Sequence, residues 1–190
     1  MKEIIGGTKS DKEGVMGEES SNNNELKLPK LRFLTLKRLP ELKSICSAKL
    51  ICDSIKVIEV QNCEKMEEIL SGTRSDEEGV MGEESSSSSI TDLKLTKLRF
   101  LLLFKLPELE SVCSAKLICD SLKVIAVCNC EKLNRLPICL PLLENGHPSP
   151  PPSLQYINAS PKEWWESVVV WEHPNAKDVL RPFVRSMYRG

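Results

Sequence analysis

The sequence predicts an α/β-type repeat solenoid, with short parallel strands lining a concave face and a mostly irregular convex side. Two observations predict it. The stretch LRFLTLKRLPELKSICSAKLICDSIKVIEVQNCEKM at Leu31 returns at Leu98 as LRFLLLFKLPELESVCSAKLICDSLKVIAVCNCEKL, with about three-quarters of aligned positions identical. Inside these copies, pairs of aliphatic residues two apart recur at Leu34 and Leu36, Ile58 and Val60, Leu101 and Leu103, and Ile125 and Val127, with a degenerate fifth pair at Ile157 and Ala159. Self-similarity on a fixed period is the signature of stacked units that share one core.

Equivalent positions fall at 34, 58, 101, 125 and 157. The step from 34 to 58 is repeated from 101 to 125, and its length falls inside the leucine-rich-repeat range. The expected architecture is therefore a horseshoe fragment of about five units over residues 26–160. The two longer steps hold an acidic, Ser-rich insertion at 71–91 and a Pro-rich bulge at 145–153. In each unit the aliphatic pair points to one side of a strand, because side chains alternate with period two. Flanking residues such as Leu31 and Leu39, or Ile55 and Cys63, turn back into the same core. One unit cannot bury enough apolar surface to offset the entropy of ordering its backbone, and stacking supplies the rest.

Residues 1–25 are polar and are expected to be disordered. The block EGVMGEESS at Glu13 recurs at Glu78, and at the same offset Met1-Lys2-Glu3 aligns with Met66-Glu67-Glu68. The chain is therefore expected to open within a unit, as the remnant of a preceding repeat, with Met1 an internal methionine and the first strand an uncapped edge. Residues 161–190 break the repeat and hold Trp164, Trp165 and Trp171, as suits a C-terminal cap that hides the core from water. Ser160 and Pro161 are expected to open a short helix there, as N-cap and first helical residue. Val179, Leu180, Phe183 and Val184 are expected to pack back on the core.

Composition excludes several classes. Twenty-six Lys and Arg against 27 Asp and Glu give no basic excess for general nucleic-acid binding. The longest apolar runs, Phe100 to Phe104 and Val168 to Trp171, are far shorter than a bilayer crossing requires. The start, MKEIIGGTKSDKEG, turns polar before a signal-peptide hydrophobic region forms. Eight cysteines without an export signal or a CxxC pair read as reduced thiols of a cytoplasmic protein rather than a disulfide framework. Cys46, Cys52 and Cys63 return as Cys113, Cys119 and Cys130, at repeat positions where a small buried thiol suffices; Cys128 and Cys139 have no counterpart.

Candidate chemistry is sparse. Gly7-Thr8-Lys9-Ser10 lacks the Gly-Lys step of a phosphate loop, and Asn158-Ala159-Ser160 is a glycosylation sequon followed by Pro161. Ser10 and Ser75 sit in acidic linkers that read as solvated. With no catalytic set, cofactor motif or metal-ligand spacing, the expected activity is binding.

The paired units of the form LPKLRFLTLKRLPELKSIC and IKVIEVQNCEKMEEIL, together with the ending PKEWWESVVVWEHPNAKDVLRPFV, resemble the C-terminal leucine-rich repeats of plant coiled-coil, nucleotide-binding, leucine-rich-repeat disease resistance proteins. The resemblance spans residues 26–188, and the ending is its more specific part. It implies cytosolic surveillance in the defence response. The repeats would recognise a pathogen effector or a guarded host protein, or restrain the nucleotide-binding module of a receptor. The coiled coil and the nucleotide-binding module have no counterpart in this sequence. A generic repeat scaffold or adaptor is the alternative reading.

If Leu34 and its equivalents point inward, the residues beside them face solvent. One such row, Phe33, Val57, Phe100, Val124 and Tyr156, is apolar throughout. The next, Thr35, Glu59, Leu102, Ala126 and Asn158, is mixed. Just before the strands lies the row Arg32, Lys56, Arg99, Lys123 and Gln155, largely basic. An apolar stripe beside a cationic edge suits a protein partner with an acidic rim. Phe100→Glu combined with Val124→Glu is then expected to abolish partner binding without unfolding the protein.

Overall fold

A computed structural model describes residues 3–5, 25–46, 49–70, 93–136, 138–168, 171 and 173–185. The insertion 71–91 lies outside them, as does the segment 1–25 apart from residues 3–5 and 25. The fold is built mostly from parallel strands, with few helical residues.

Six strands form the main sheet: β1 (Phe33–Lys37), β2 (Val57–Gln61), β3 (Phe100–Phe104), β4 (Val124–Cys128), β5 (Tyr156–Ser160) and β6 (Val184–Arg185). They lie side by side in chain order, every pair parallel. The register aligns Leu34 with Ile58, Ile58 with Leu101, Leu101 with Ile125, and Ile125 with Ile157. The expected alignment of positions 34, 58, 101, 125 and 157 is therefore present.

Alternation along the strands builds the core. Ile58, Val60, Leu101, Leu103, Ile125, Val127, Ile157 and Ala159 are buried, while Leu34, on the edge strand, is partly covered. Each buried Val, Leu or Ile contributes about 1.5–3 kcal/mol. Among the described residues no polar or charged side chain is buried.

The same exit follows each of the first four strands. Arg38, Asn62, Lys105 and Asn129 all take φ between 53° and 56°. Each donates its N–H to the carbonyl that ends the next strand: Gln61 at 3.0 Å, Phe104 at 3.0 Å, Cys128 at 2.8 Å and Ser160 at 2.9 Å. A turn then closes at Leu42, Met66, Leu109 and Leu133, each donating to the carbonyl three residues before it. All four of these side chains are buried.

Two narrower sets of parallel pairings flank the main sheet. In one, Glu3–Ile5 pairs with Ser44–Cys46 and Glu68–Leu70 with Ser111–Cys113. In the other, Glu25–Lys27 pairs with Lys49–Ile51 and Leu93–Lys94 with Leu117–Ile118. Glu3–Ile5 corrects the expectation of disorder at that point of segment 1–25. Glu3 pairs with Ser44 as Glu68 pairs with Ser111, which is the equivalence the repeat alignment implied.

The repeat period is visible as ion pairs. Lys65 to Glu41 (2.7 Å) and Lys132 to Glu108 (2.6 Å) each link equivalent points of neighbouring units, as does Lys43 to Glu67.

At the C-terminal end the cap differs from expectation in one detail. Ser160 ends β5 instead of capping a helix, the Ser160–Pro161 peptide is cis, and a π-helical turn follows at Trp164–Val168. Leu180 is buried, with Phe183 and Val184 packed against the core. Val184 does so from β6, a strand too short for its pattern to be read. No helix among the described residues is long and apolar enough to cross a membrane.

Candidate protein-interaction face

The outward face of the main sheet is assembled by register. Val57 lies between Phe33 and Phe100, and Val124 lies between Phe100 and Tyr156. The five members of the apolar row are thus neighbours across the sheet, at the roughly 4.8 Å interstrand spacing. Their accessibility is unequal. Phe33 is 64% exposed, Val57, Phe100 and Tyr156 are half-buried, and Val124 is only 4% exposed.

Val124 is therefore corrected as a contact residue. It is a short side chain between two aromatic rings, on a strand with neighbours on both sides, and the rings shade it. Ala126, in the next row, is buried between Leu102 and Asn158, both of which have longer side chains. Val57, one strand from the edge, keeps part of its surface. At the other end of the row the Arg185 guanidinium stands 5.1 Å from the centre of the Tyr156 ring, a cation–π contact that covers that ring. The accessible apolar surface concentrates on β1, β2 and β3.

Strand β3 adds to it. Phe100, Leu102 and Phe104 all face outward and are half-buried, so this strand is apolar on both sides. Leu102 was read within a mixed row and Phe104 was not singled out. The signal was the uninterrupted run Phe100 to Phe104, which is too short for a membrane but long enough to make a strand apolar on both faces. Across β1 and β2, Lys37 pairs with Glu59 at 2.7 Å beside this surface.

The basic row is a physical column. The N–H of Lys56 donates to the carbonyl of Arg32 (2.8 Å), Arg99 to Lys56 (2.8 Å), Lys123 to Arg99 (2.9 Å) and Gln155 to Lys123 (2.8 Å). Arg32 and Arg99 are exposed; Lys56 and Lys123 are half-buried. Arg32, Lys56 and Arg99 also line a cleft of about 370 Å3, joined there by Lys97, Ser54 and Ser121. The last three escaped the sequence reading, although the duplicated strings Lys30-Leu31-Arg32 and Lys97-Leu98-Arg99, and Asp53-Ser54 and Asp120-Ser121, mark them.

Other chemistry is limited. Burial pushes the thiols of Cys119 and Cys130 up to about 12, and Cys63 also upward, so they are poor nucleophiles at neutral pH. Among the described residues no group of His, Cys, Asp and Glu is placed to hold a metal ion. Away from the sheet, Leu142 and Leu143 are exposed on the loop that runs into the Pro-rich bulge. Comparison with protein-family models, curated proteins and solved structures finds no match.

Proposed function

We propose that this chain is a protein-recognition module of an intracellular plant immune receptor, built as a leucine-rich-repeat horseshoe fragment and acting by binding rather than catalysis. Its partner would be a pathogen effector, a guarded host protein or the nucleotide-binding module of a receptor, met in the cytoplasm. The observation that carries the reading is the in-register row Phe33, Val57 and Phe100 on three adjacent strands, flanked by the column Arg32, Lys56 and Arg99. Apolar area supplies affinity and the cationic flank supplies orientation toward an acidic rim. The tandem units and the Trp-rich ending, which resemble those of coiled-coil nucleotide-binding receptors, supply the biological context.

The test is a photo-crosslinker placed at position 102, the half-buried outward position next to Phe100 on β3, with the chain expressed in leaf cells before and after pathogen challenge. A crosslinked protein that changes with challenge, and that is lost in Phe33→Glu with Phe100→Glu, is the expected result. The purified double variant should still unfold cooperatively. Val124→Glu, by contrast, should unfold the chain, because it forces a carboxylate into a covered position. A partner captured equally with and without challenge would favour the generic scaffold; a crosslink indifferent to Phe33→Glu and Phe100→Glu would remove this face from the account.

A further inference from the structure

We propose that the cleft before strands β1, β2 and β3 is a binding site for a small soluble polyanion carrying two or more phosphate groups. Its lining is Arg32, Ser54, Lys56, Lys97, Arg99 and Ser121: four cations, two hydroxyls and no carboxylate. Cations without a carboxylate partner occur elsewhere in the chain, but here four of them share one cleft. Lys37, Lys43, Lys65, Lys132, Lys177 and Arg181 each stand within 4.0 Å of a carboxylate. Among the described residues, none of the four cleft cations has such a partner.

The backbone holds the charges together. The bonds Lys56 N–H to Arg32 O and Arg99 N–H to Lys56 O hold the backbones of three cationic residues side by side, just before adjacent strands, at about 4.8 Å spacing. Like charges placed as cross-strand neighbours repel, and an anion between them removes that cost. The guanidinium forks of Arg32 and Arg99 match phosphate oxygens in bidentate fashion, and Lys56 and Lys97 add point charges. Ser54 and Ser121 have hydroxyls that donate to the remaining oxygens. Four positive charges are matched by at least two phosphate groups rather than one.

Size decides the class of ligand. A volume of about 370 Å3 lies at the small end of pockets that take small molecules. It suits a compact polyphosphate, and the apolar row beside it is left for a larger partner. The site shares Arg32, Lys56 and Arg99 with the cationic flank of the proposed partner surface, but the cleft and its lining do not depend on that reading.

The test is calorimetric titration of the full chain with sodium tripolyphosphate at constant ionic strength. Saturable one-to-one binding is expected, weakening as salt is raised. Lys97→Glu and Arg32→Glu with Arg99→Glu should each weaken it at least tenfold, with Lys97→Gln and Arg99→Gln as milder replacements if a reversal prevents cooperative unfolding. Lys132→Glu, whose ammonium normally pairs with Glu108 outside the cleft, should bind as the unaltered chain does. A parallel arm uses vesicles containing phosphorylated phosphoinositide: attachment to vesicles with no heat from tripolyphosphate overturns the soluble-ligand site. So does the absence of saturable heat, or a loss in Lys132→Glu equal to that in Lys97→Glu.

Discussion

A thiol enclosed by aliphatic side chains resists ionisation, because its anion would lose hydration with nothing to replace it. Cys119 and Cys130 are in that state, displaced from 9.0 to about 12, desolvation being the first cause for both. Below pH 9 both folded and unfolded chains keep these protons, and the contribution to stability is whole. Between pH 9 and about 12 the unfolded chain releases them first, so stability falls as pH rises. Denaturant midpoints measured from pH 8 upward should decline, and Cys130→Ala should flatten part of that decline. At neutral pH, iodoacetamide should modify the exposed Cys139 and spare Cys119 and Cys130 until denaturant is added. Native-state modification of Cys130 as fast as Cys139 would contradict the burial. These environments were legible in the sequence, since the buried cysteines recur among aliphatics in both copies while Cys139 does not. Val124 was not legible. Alternation tells which face a residue takes, but its accessibility depends on the height of Phe100 and Tyr156, residues on other strands.

At the scale of the element, the strand exits determine whether consecutive strands stay in step. Asn62 and Asn129 occupy left-handed backbone, which asparagine tolerates better than other non-glycine residues. The recurring Asn-Cys pair that ends β2 and β4 is thus a turn signal as much as a core signal. Arg38 and Lys105 take the same conformation after β1 and β3 without that aptitude, so at those exits the stacking itself sets the shape. Asn129→Val should cost about 1–2 kcal/mol, because a β-branched side chain opposes the left-handed conformation, and Asn129→Gly should stay close to the parent. Urea denaturation reads both; equal values for the two substitutions would show that the conformation at 129 carries no energy. The ion pairs between successive units matter less. Their side chains are 45–62% exposed, and solvent screening leaves such exposed pairs little net worth. The side chain of Lys65 keeps the Glu41 carboxyl below its ordinary range through a hydrogen bond and its charge. That small contribution is present at neutral pH and fades as pH falls through the lowered value.

Across the whole molecule, one unit's core is completed by the next, and the C-terminal end needs a cover of a different kind. The strand register was legible because the step from Leu34 to Ile58 recurs from Leu101 to Ile125, and equal steps imply neighbouring strands. The cleft was not, since Lys97 lies in a turn, and only the backbone path brings it beside Arg32 and Lys56. The tryptophan lid was legible as three tryptophans in a stretch that breaks the repeat; β6 was not, because Val184–Arg185 is too short to show a pattern. Trp164 connects these parts. Its ring is buried, and its indole N–H donates to the carbonyl of Leu133 at 2.6 Å, in the turn that follows β4. Trp165 beside it is buried and packs edge-on against Trp171, with ring centres 5.4 Å apart. Strand β5 is covered on its far edge by β6 only at Ile157 and Asn158, so the lid must shield the rest. Removing the ring leaves a cavity and an unpaired carbonyl at Leu133, a combined cost of about 3–5 kcal/mol for Trp164→Ala. The damage should be graded along the sheet. Amide hydrogen exchange is expected to quicken most in β5, less in β4 and least in β1, because each strand is held by its neighbours rather than by the lid directly. A uniform acceleration across all strands would mean that the sheet opens as one unit, and a loss below about 1 kcal/mol would mean that the core ends before the lid begins.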